Sequence, residues 1–448
     1  MRALLGPEFP EFRDALFEPS PTGLRANTLK VAPHELPALT GWPLEPVPWC
    51  PVGFYLREPD VRAGNHPYHW AGLYYLQEPS AMAVVEAMSP EPHDRILDLC
   101  AAPGGKATQV AAKLQGRGLL VANDIVRPRA AILADNLARF GVRNTVVASD
   151  APERLAAVLP GFFDRVLVDA PCSEEGMFRR SSEARQAWSP KTVAGSARRQ
   201  LRILNSAAEM ATGGGTLVYS TCTFSPEENE DVIARFLLSH PNYELVPARL
   251  PGVSTEGRGD WCSVPEGRRL PLERAVRLWP HRVAGDGHFI AIMQRTDEPQ
   301  PRAFAERWAE DAGAARAFGA FAATALANPP VGIFIRKGNR IFSVTETAPP
   351  LPDLRVLSPG WPLGEVRGDR FVPSSALATG LRPTDARQYL SLWADGDDVR
   401  AYLRGETLAI SGDPGWVLVG VDRFPLGWGF RVGTTVKNHY PRHLRQML

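Results

Sequence analysis

The sequence predicts an α/β protein built on a doubly wound parallel sheet, and three observations carry that prediction. Between Tyr74 and about Arg295, apolar runs of strand length alternate with stretches of helical periodicity. Several of those runs end in an acid or a cysteine, at the carboxyl edge where such a sheet binds ligands. The chain has 448 residues, more than one core usually holds, so flanking domains are expected.

The elements follow in order. Residues 1 to about 70 are rich in proline and tryptophan and contain a polar, basic strand from Arg25 to Lys30. The first strand of the regular region is Ile96 to Cys100, followed by a tight loop, Ala101-Ala102-Pro103-Gly104-Gly105, and a helix from Lys106 to Leu114. A second strand, Leu119 to Asn123, ends at Asp124. A helix spans Arg129 to Phe140, and a third strand, Thr145 to Ala148, stops before Asp150. The fourth and fifth strands, Arg165 to Val168 and Thr216 to Tyr219, flank a helix from Arg198 to Met210. His288 to Met293 closes the sheet. Beyond a charged, proline-containing linker, Thr296 to Arg302, come a helical stretch from Ala303 to Leu326 and a hairpin, Ile333–Arg336 and Arg340–Val344, turning at Lys337-Gly338-Asn339. The tail from Arg423 to Leu448 carries Arg423, Arg431, Lys437, Arg442 and Arg445 with no acid, interleaved with Trp428, His439 and Tyr440.

Composition narrows the class. No apolar run reaches the length of a membrane span, and the N-terminus lacks a signal-peptide core, so an intracellular protein is expected. The formal net charge of +1 decides nothing about nucleic acid. Only six of the 50 basic residues are lysines, and arginine suits phosphate and base contacts better. Codon bias gives the same skew. The five cysteines, Cys50, Cys100, Cys172, Cys222 and Cys262, form no Cys-x-x-Cys pair, which argues against a disulfide framework or a structural zinc site.

The loop after the first strand points to a nucleoside. Its Pro-Gly-Gly turn lets backbone approach a ligand, yet it has neither the spaced glycines of dinucleotide binding nor a phosphate loop. Asp124 lies where a ribose-binding carboxylate belongs, and Asp150 is placed to accept from an adenine amine. Three acidic strand ends without a pyrophosphate cradle suit a cationic nucleoside, S-adenosylmethionine. The plainer alternative for each acid is a helix cap.

The reacting groups are two thiols. Cys172 lies in Asp169-Ala170-Pro171-Cys172-Ser173 and Cys222 in Ser220-Thr221-Cys222-Thr223, each directly after a strand. Carbon 5 of cytosine is too weak a nucleophile to accept a methyl group directly. Adding a thiolate to carbon 6 makes an enamine that accepts it. Asp169 can bond the base at its amine and ring nitrogen 3, and a proton on it near neutrality would activate carbon 6. Ser225-Pro226-Glu227-Glu228 spells a capping box, which puts Cys222 just before a helix N-terminus that favours thiolate. Cys50, Cys100 and Cys262 read as small buried hydrophobes.

With these residues the chain resembles the Nop/Sun family of RNA cytosine-5 methyltransferases. Asp98-Leu99-Cys100-Ala101-Ala102-Pro103-Gly104-Gly105-Lys106 and the two cysteine loops carry the likeness. Gln77-Glu78-Pro79-Ser80, Glu175-Gly176-Met177-Phe178-Arg179, Gly285-Asp286-Gly287-His288-Phe289, Gly427-Trp428-Gly429 and Lys437-Asn438-His439-Tyr440-Pro441 extend it to the bacterial rRNA small subunit methyltransferase F group. The resemblance implies a Rossmann-like, class I S-adenosylmethionine-dependent methyltransferase domain over residues 71–297. It also implies an N-terminal α+β RNA-contacting domain over 1–70, a linker and first C-terminal domain over 298–385, and a PUA-like RNA-binding domain over 386–448. Cys222 is then the nucleophile, Cys172 assists product release, and Asp169 and Lys106 complete the catalytic set. The cofactor is held by Cys100, Ala101, Ala102, Pro103, Gly104, Gly105, Lys106, Asp124, Arg129, Asp150 and Asp169. The implied partner is small-subunit rRNA or the 30S subunit, met by a cytoplasmic monomer without metal or membrane. Two positions depart from the group: Glu174, where glycine is usual, and Phe430, where a basic residue is expected.

Two alternatives stand beside this. A DNA cytosine-5 methyltransferase would use Cys172, the cysteine after proline, as its nucleophile. A ribosome-assembly factor would bind RNA and cofactor without turnover, which leaves the thiol pair without a purpose.

Overall fold

The computed structural model describes residues 1–253, 255–298 and 307–445. After a short helical turn at Arg2–Leu5 comes helix α1 (Phe9–Ala15). An antiparallel sheet follows, made of β1 (Thr22–Ala26), β2 (Leu44–Val47), β3 (Cys50–Leu56) and β4 (Tyr74–Leu76) in the order β2-β3-β1-β4. The basic strand expected from Arg25 does not face solvent. Arg25 is fully buried in β1, where Nε donates to Gln77 Oε1 at 2.8 Å and Nη2 to the Gly105 carbonyl at 3.0 Å and Thr108 Oγ1 at 2.8 Å. Lys30 Nζ donates to the carbonyls of Ala71 (2.6 Å) and Arg139 (2.9 Å), and burial pulls its pKa down to about 7. A buried cation is tolerated only where such acceptors wait. These cations fasten the N-terminal sheet to the next domain.

Helix α2 (Pro79–Met88), N-capped by the Glu78 carboxylate, leads into the central sheet. Its elements are β5 (Arg95–Asp98), α3 (Gly105–Leu114), β6 (Leu119–Asn123), α4 (Arg127–Arg139), β7 (Thr145–Ala148), α5 (Pro152–Val158), β8 (Phe163–Asp169), α6 (Pro190–Met210), β9 (Ala211–Thr221), α7 (Glu230–Ser239), β10 (Tyr243–Val246), β11 (Val276–Leu278) and β12 (His288–Arg295). The strands run in the order β10-β12-β9-β8-β5-β6-β7, parallel from β9 to β7, with β12 antiparallel to both β9 and β10 and β11 beside β12. The winding reverses between β5 and β8, the switch point where such sheets open a crevice. Side chains alternate between two buried faces, Leu97, Val121, Val166 and Tyr219 on one and Ile96, Leu120, Leu167 and Val218 on the other. Helix α6 starts eight residues earlier than its periodicity suggests, because Ser189 accepts from the Thr192 N–H and Pro190 takes the first turn.

The linker Thr296–Arg302 and the start of the helical stretch from Ala303 lie partly outside the described residues. Helix α8 (Ala312–Ala325) begins where Asp311 caps the Ala314 N–H at 2.8 Å. The predicted hairpin forms as β13 (Ile333–Lys337) and β14 (Arg340–Val344). Strand β15 (Val356–Ser358) leaves this domain and extends the central sheet, antiparallel to β7. Ala348, Leu351 and Leu354 accompany it into the central core. The residues numbered 298–385 are therefore not all in one body. Strands β16 (Trp361–Arg367) and β17 (Arg370–Pro373) complete the sheet begun by β13 and β14.

The last sheet is β18 (Tyr389–Leu392), β19 (Gly415–Val421), β20 (Phe424–Val432) and β21 (Thr435–Asn438), with helix α9 (Asp397–Arg404) packed on it. Its apolar side shares one core with the N-terminal sheet: Leu24, Phe54, Tyr68 and Tyr74 meet Val399, Tyr402, Val417 and Val419. Here the expected aromatic, basic tail is corrected. Trp428 and Tyr440 are buried core residues, and Arg431 is buried with Nη1 on Gln388 Oε1 at 2.7 Å. Phe430 packs edge-on against Trp416 instead of pointing a cation outward. Among the described residues no helix is long and apolar enough to cross a membrane, and no cluster of His, Cys, Asp or Glu could hold a metal ion.

Candidate active site

Strands β8 and β9 are parallel neighbours in register, Asp169 opposite Ser220, so the loops that follow them emerge side by side. That register brings Cys172 Sγ and Cys222 Sγ to 3.4 Å. The two loops also hold each other. The Gly176 N–H donates to the Cys222 carbonyl at 2.7 Å, and a Cβ at Gly176 would come within 2.6 Å of that oxygen. Glu175, buried, accepts from the Phe224 N–H and from Trp188 Nε1, both at 2.8 Å. Glu228, also buried, accepts from the Ser173 N–H at 3.0 Å, from Gln200 Nε2 at 2.8 Å and from the Ser173 hydroxyl. The capping box expected at Ser225 does not form. Ser225 Oγ turns to Glu227, Glu228 is committed to the neighbouring loop, and α7 starts only at Glu230. The helix dipole is therefore not what favours thiolate at Cys222.

Charge distinguishes the two sulfurs instead. Lys106, at the start of α3, is nine-tenths buried and ion-paired to Asp169 at 2.7 Å. Burial works against its charge, but Asp169, with Cys222 adding to it, holds the ammonium above its ordinary pKa. Cys172 sits on the opposite electrostatic side. Its hydrogen bond to Cys222, its burial and the nearby Glu228 carboxylate push its thiol well up. So one sulfur neighbours a cation and the other neighbours an anion. Cys50 and Cys262 are buried, as expected, and burial raises their thiols to about 12 and about 11, whereas Cys100, expected buried with them, is partly exposed.

Asp169 departs from its expected protonation. Burial works to raise it, yet Lys106 and His288 outweigh that and hold the carboxyl well below its usual range. It is a carboxylate at neutral pH, with Ser220 Oγ donating to Oδ1 at 2.7 Å. His288 Nε2 lies 3.6 Å from the same oxygen, at the first position of β12. The sequence shows His288 as the start of a strand and as part of a family motif, with no catalytic role assigned. Its signal was the polar residue opening an otherwise apolar run beside the Cys222 strand.

The nucleoside-like edge assembles around β5 and β6. The loop from Cys100 to Gly105 turns through a left-handed Gly104 (φ 115°), where only glycine is relaxed. Helix α4 grips that loop: Asn136 Nδ2 donates to the Pro103 carbonyl at 2.8 Å and Arg129 Nη2 to the Ala102 carbonyl at 2.9 Å. Arg129 also reaches Asp124 at 3.5 Å, and Asp124 Oδ1 accepts from the Val126 N–H. Asp150 is fully buried and tied to Asn123, Arg154 and Arg355. Glu174 stands at φ 61°, a conformation costing a non-glycine residue roughly 1–2 kcal/mol. That accounts for glycine being usual there.

Asp98 was missed. It ends β5 fully buried, and neither carboxylate oxygen has a hydrogen-bond partner of good geometry. Burial, with Asp169 nearby, lifts its pKa to about 8. An acid raised in the folded state binds a proton there that the unfolded chain has already lost. Its contribution to stability is therefore full below about pH 4 and falls as pH rises towards 8. Asp98→Asn is expected to flatten the ligand-free protein's stability between pH 4 and 8. Urea unfolding at several pH values tests this, and an unchanged slope would count against the orphaned carboxyl.

Comparison with known proteins agrees along the chain. Residues 85–294 match the family described as 16S rRNA methyltransferase RsmB/F. Residues 1–79 match the N-terminal domain of 16S rRNA methyltransferase RsmF, 320–381 its first C-terminal domain, and 389–446 its PUA domain. The chain is 30% identical to ribosomal RNA small subunit methyltransferase F of Serratia proteamaculans, covering 97% of this chain and 92% of that one. The Salmonella heidelberg protein of the same name is 32% identical over the same shares. A methyltransferase homolog protein from Pyrococcus horikoshii has a solved structure with a TM-score of 0.56 at 30% identity, covering 65% of this chain and 91% of its own. The solved structure of NSun6 from Pyrococcus horikoshii shares the fold, with a TM-score of 0.56 at 21% identity over 66% of this chain and 97% of that one. The four domain matches in sequence, and relatives aligned almost end to end, show that this chain belongs to the ribosomal RNA small subunit methyltransferase F family of RsmB/F methyltransferases.

Proposed function

We propose that the protein methylates carbon 5 of cytosine in 16S rRNA, with Cys222 adding to carbon 6 of the base. The observation that carries this is the thiol pair, two sulfurs 3.4 Å apart with a lysine on one side and a buried glutamate on the other. The Lys106 ammonium stands on the side of the sulfur that attacks. For release the carbon 5 hydrogen must leave as a proton, its electron pair restoring the ring double bond and expelling the Cys222 thiolate; Cys172 stands beside the carbon–sulfur bond that breaks.

The residues at the sheet edge fit S-adenosylmethionine. Asp98 offers two unpaired oxygens to a cation, and Asp124 and Asp150 stand where a ribose and an adenine are expected. When bound, that cofactor supplies the methyl group. Asp169, as a carboxylate, accepts from the exocyclic amine of the base. Lys106 is then the group that holds a proton towards ring nitrogen 3. The target base must leave its stack to reach this crevice. Arg423, Lys437 and Arg442 are the tail cations left exposed to rRNA, and rRNA as substrate places the reaction in the cytoplasm.

The test is direct. Purified protein with tritiated S-adenosylmethionine should label 5-methylcytosine in 16S rRNA or in whole 30S subunits, and the comparison identifies the preferred form. Mass spectrometry of rRNA from a deletion strain should show a missing methylcytosine. If none is missing and neither RNA takes up label, the reading fails.

A further inference from the structure

The carboxylate of Asp150 is completed by a residue from two hundred positions downstream. Arg355 precedes β15, the strand that leaves the first C-terminal domain to pair with β7. Its main-chain N–H donates to Asp150 Oδ2 at 2.9 Å and its Nη2 to Oδ1 at 3.2 Å. Its own carbonyl accepts from the Ser149 N–H at 2.9 Å. Among the described residues of the central domain Asp150 has only the Ala151 N–H at 3.1 Å and Arg154, 3.5 Å away and half-exposed. A fully buried carboxylate is costly unless it is paired, so the incoming strand supplies what the domain lacks.

Accepting sites remain. A carboxylate has about four lone-pair positions, and Oδ2 takes only the Arg355 amide. We infer that Arg355 is a positioning residue for the cofactor: it covers the Asp150 carboxylate, the acid expected at the adenine end, fixes its plane and keeps it charged for an adenine amine. The adenine end of the site is thus complete only when β15 is docked on β7. This rests on the S-adenosylmethionine reading above. The charged groups facing Asp150 are Arg355 from the strand and Arg154 from α5, and together they keep the acid ionised against its burial.

The experiment uses the full chain. Arg355→Ala should weaken S-adenosylmethionine, by calorimetry and by KM, about tenfold, the scale of one lost charged hydrogen bond. The kcat at saturating cofactor and the KM for RNA should stay within about twofold. The acid limb of cofactor binding should move to higher pH, because the Arg355 guanidinium no longer opposes protonation of Asp150 and only Arg154 and the two main-chain N–H groups remain. A purely structural contact would not produce that shift. Arg355→Lys, which restores charge, should return the acid limb towards its original place. If Arg355→Ala does not fold, Arg355→Gln is read by the same criteria. Cofactor binding equal to wild type, or a loss confined to RNA, overturns the inference. Wild-type protein that binds no S-adenosylmethionine overturns the cofactor reading itself.

Discussion

Cys222→Ala will abolish methyl transfer, by roughly 10⁴-fold or more, the scale on which covalent nucleophiles are lost. It will also form no protein–RNA adduct stable to denaturing gels. Cys172→Ala will do the opposite on the gel, with the protein trapped on its RNA. The asymmetry follows from what surrounds each sulfur. The Lys106 charge acts on Cys222, while the buried Glu228 and the neighbouring sulfur hold the proton on Cys172. Removing Cys172 leaves attack possible and takes away the group beside the bond that must break. The reverse pattern, with an adduct in Cys222→Ala and none in Cys172→Ala, would move the nucleophile to the Pro-Cys position and revive the DNA-enzyme alternative. Loss of neither adduct nor turnover in Cys222→Ala would end the covalent proposal.

The largest effect on stability is expected at Glu230→Ala, about 3–5 kcal/mol, the cost of leaving a buried charge alone. Glu230 and Arg277 are both essentially without solvent contact, and Arg277 Nε donates to Glu230 Oε1 at 2.7 Å. The guanidinium also donates to the Phe224 carbonyl at 3.0 Å and lies 5.2 Å from the ring centres of Trp261 and Trp279. Without the carboxylate this cation has no anion and a low-dielectric surround. Urea unfolding measures the loss. The double variant Glu230→Leu with Arg277→Met should recover part of it, because apolar replacement of both partners removes the stranded charge. A single-variant loss below about 1 kcal/mol would show that the pair is solvated in solution. Because Phe224 is two residues from Cys222, the same substitution should lower kcat in the fraction that stays folded.

What the residues alone disclose follows a physical line. The parallel strands were legible because both of their faces are buried, which leaves continuous apolar runs such as Leu119–Asn123. The thiol pair was legible because each cysteine directly follows such a run, and neighbouring strands put their ends together. Capping at Ser225 was misread because Glu228 had a stronger claim from the Ser173 loop, 55 residues away. The burial of Arg25 and Arg431 was not legible because sequence shows charge and not the carbonyl or amide that waits for it. Arg355 and Asp98 were invisible for the same reason. One is defined by a partner from another domain, the other by having none.

Finally, the first strands of the chain and its last ones close a single apolar core between them. During synthesis the N-terminal sheet must emerge with Leu24 and Phe54 bare and wait for some 340 further residues before Val399 and Val417 arrive to cover them. A nascent chain exposing that surface is open to aggregation and to chaperones. Chains truncated before the last domain should therefore be insoluble even though the catalytic sheet they contain is intact.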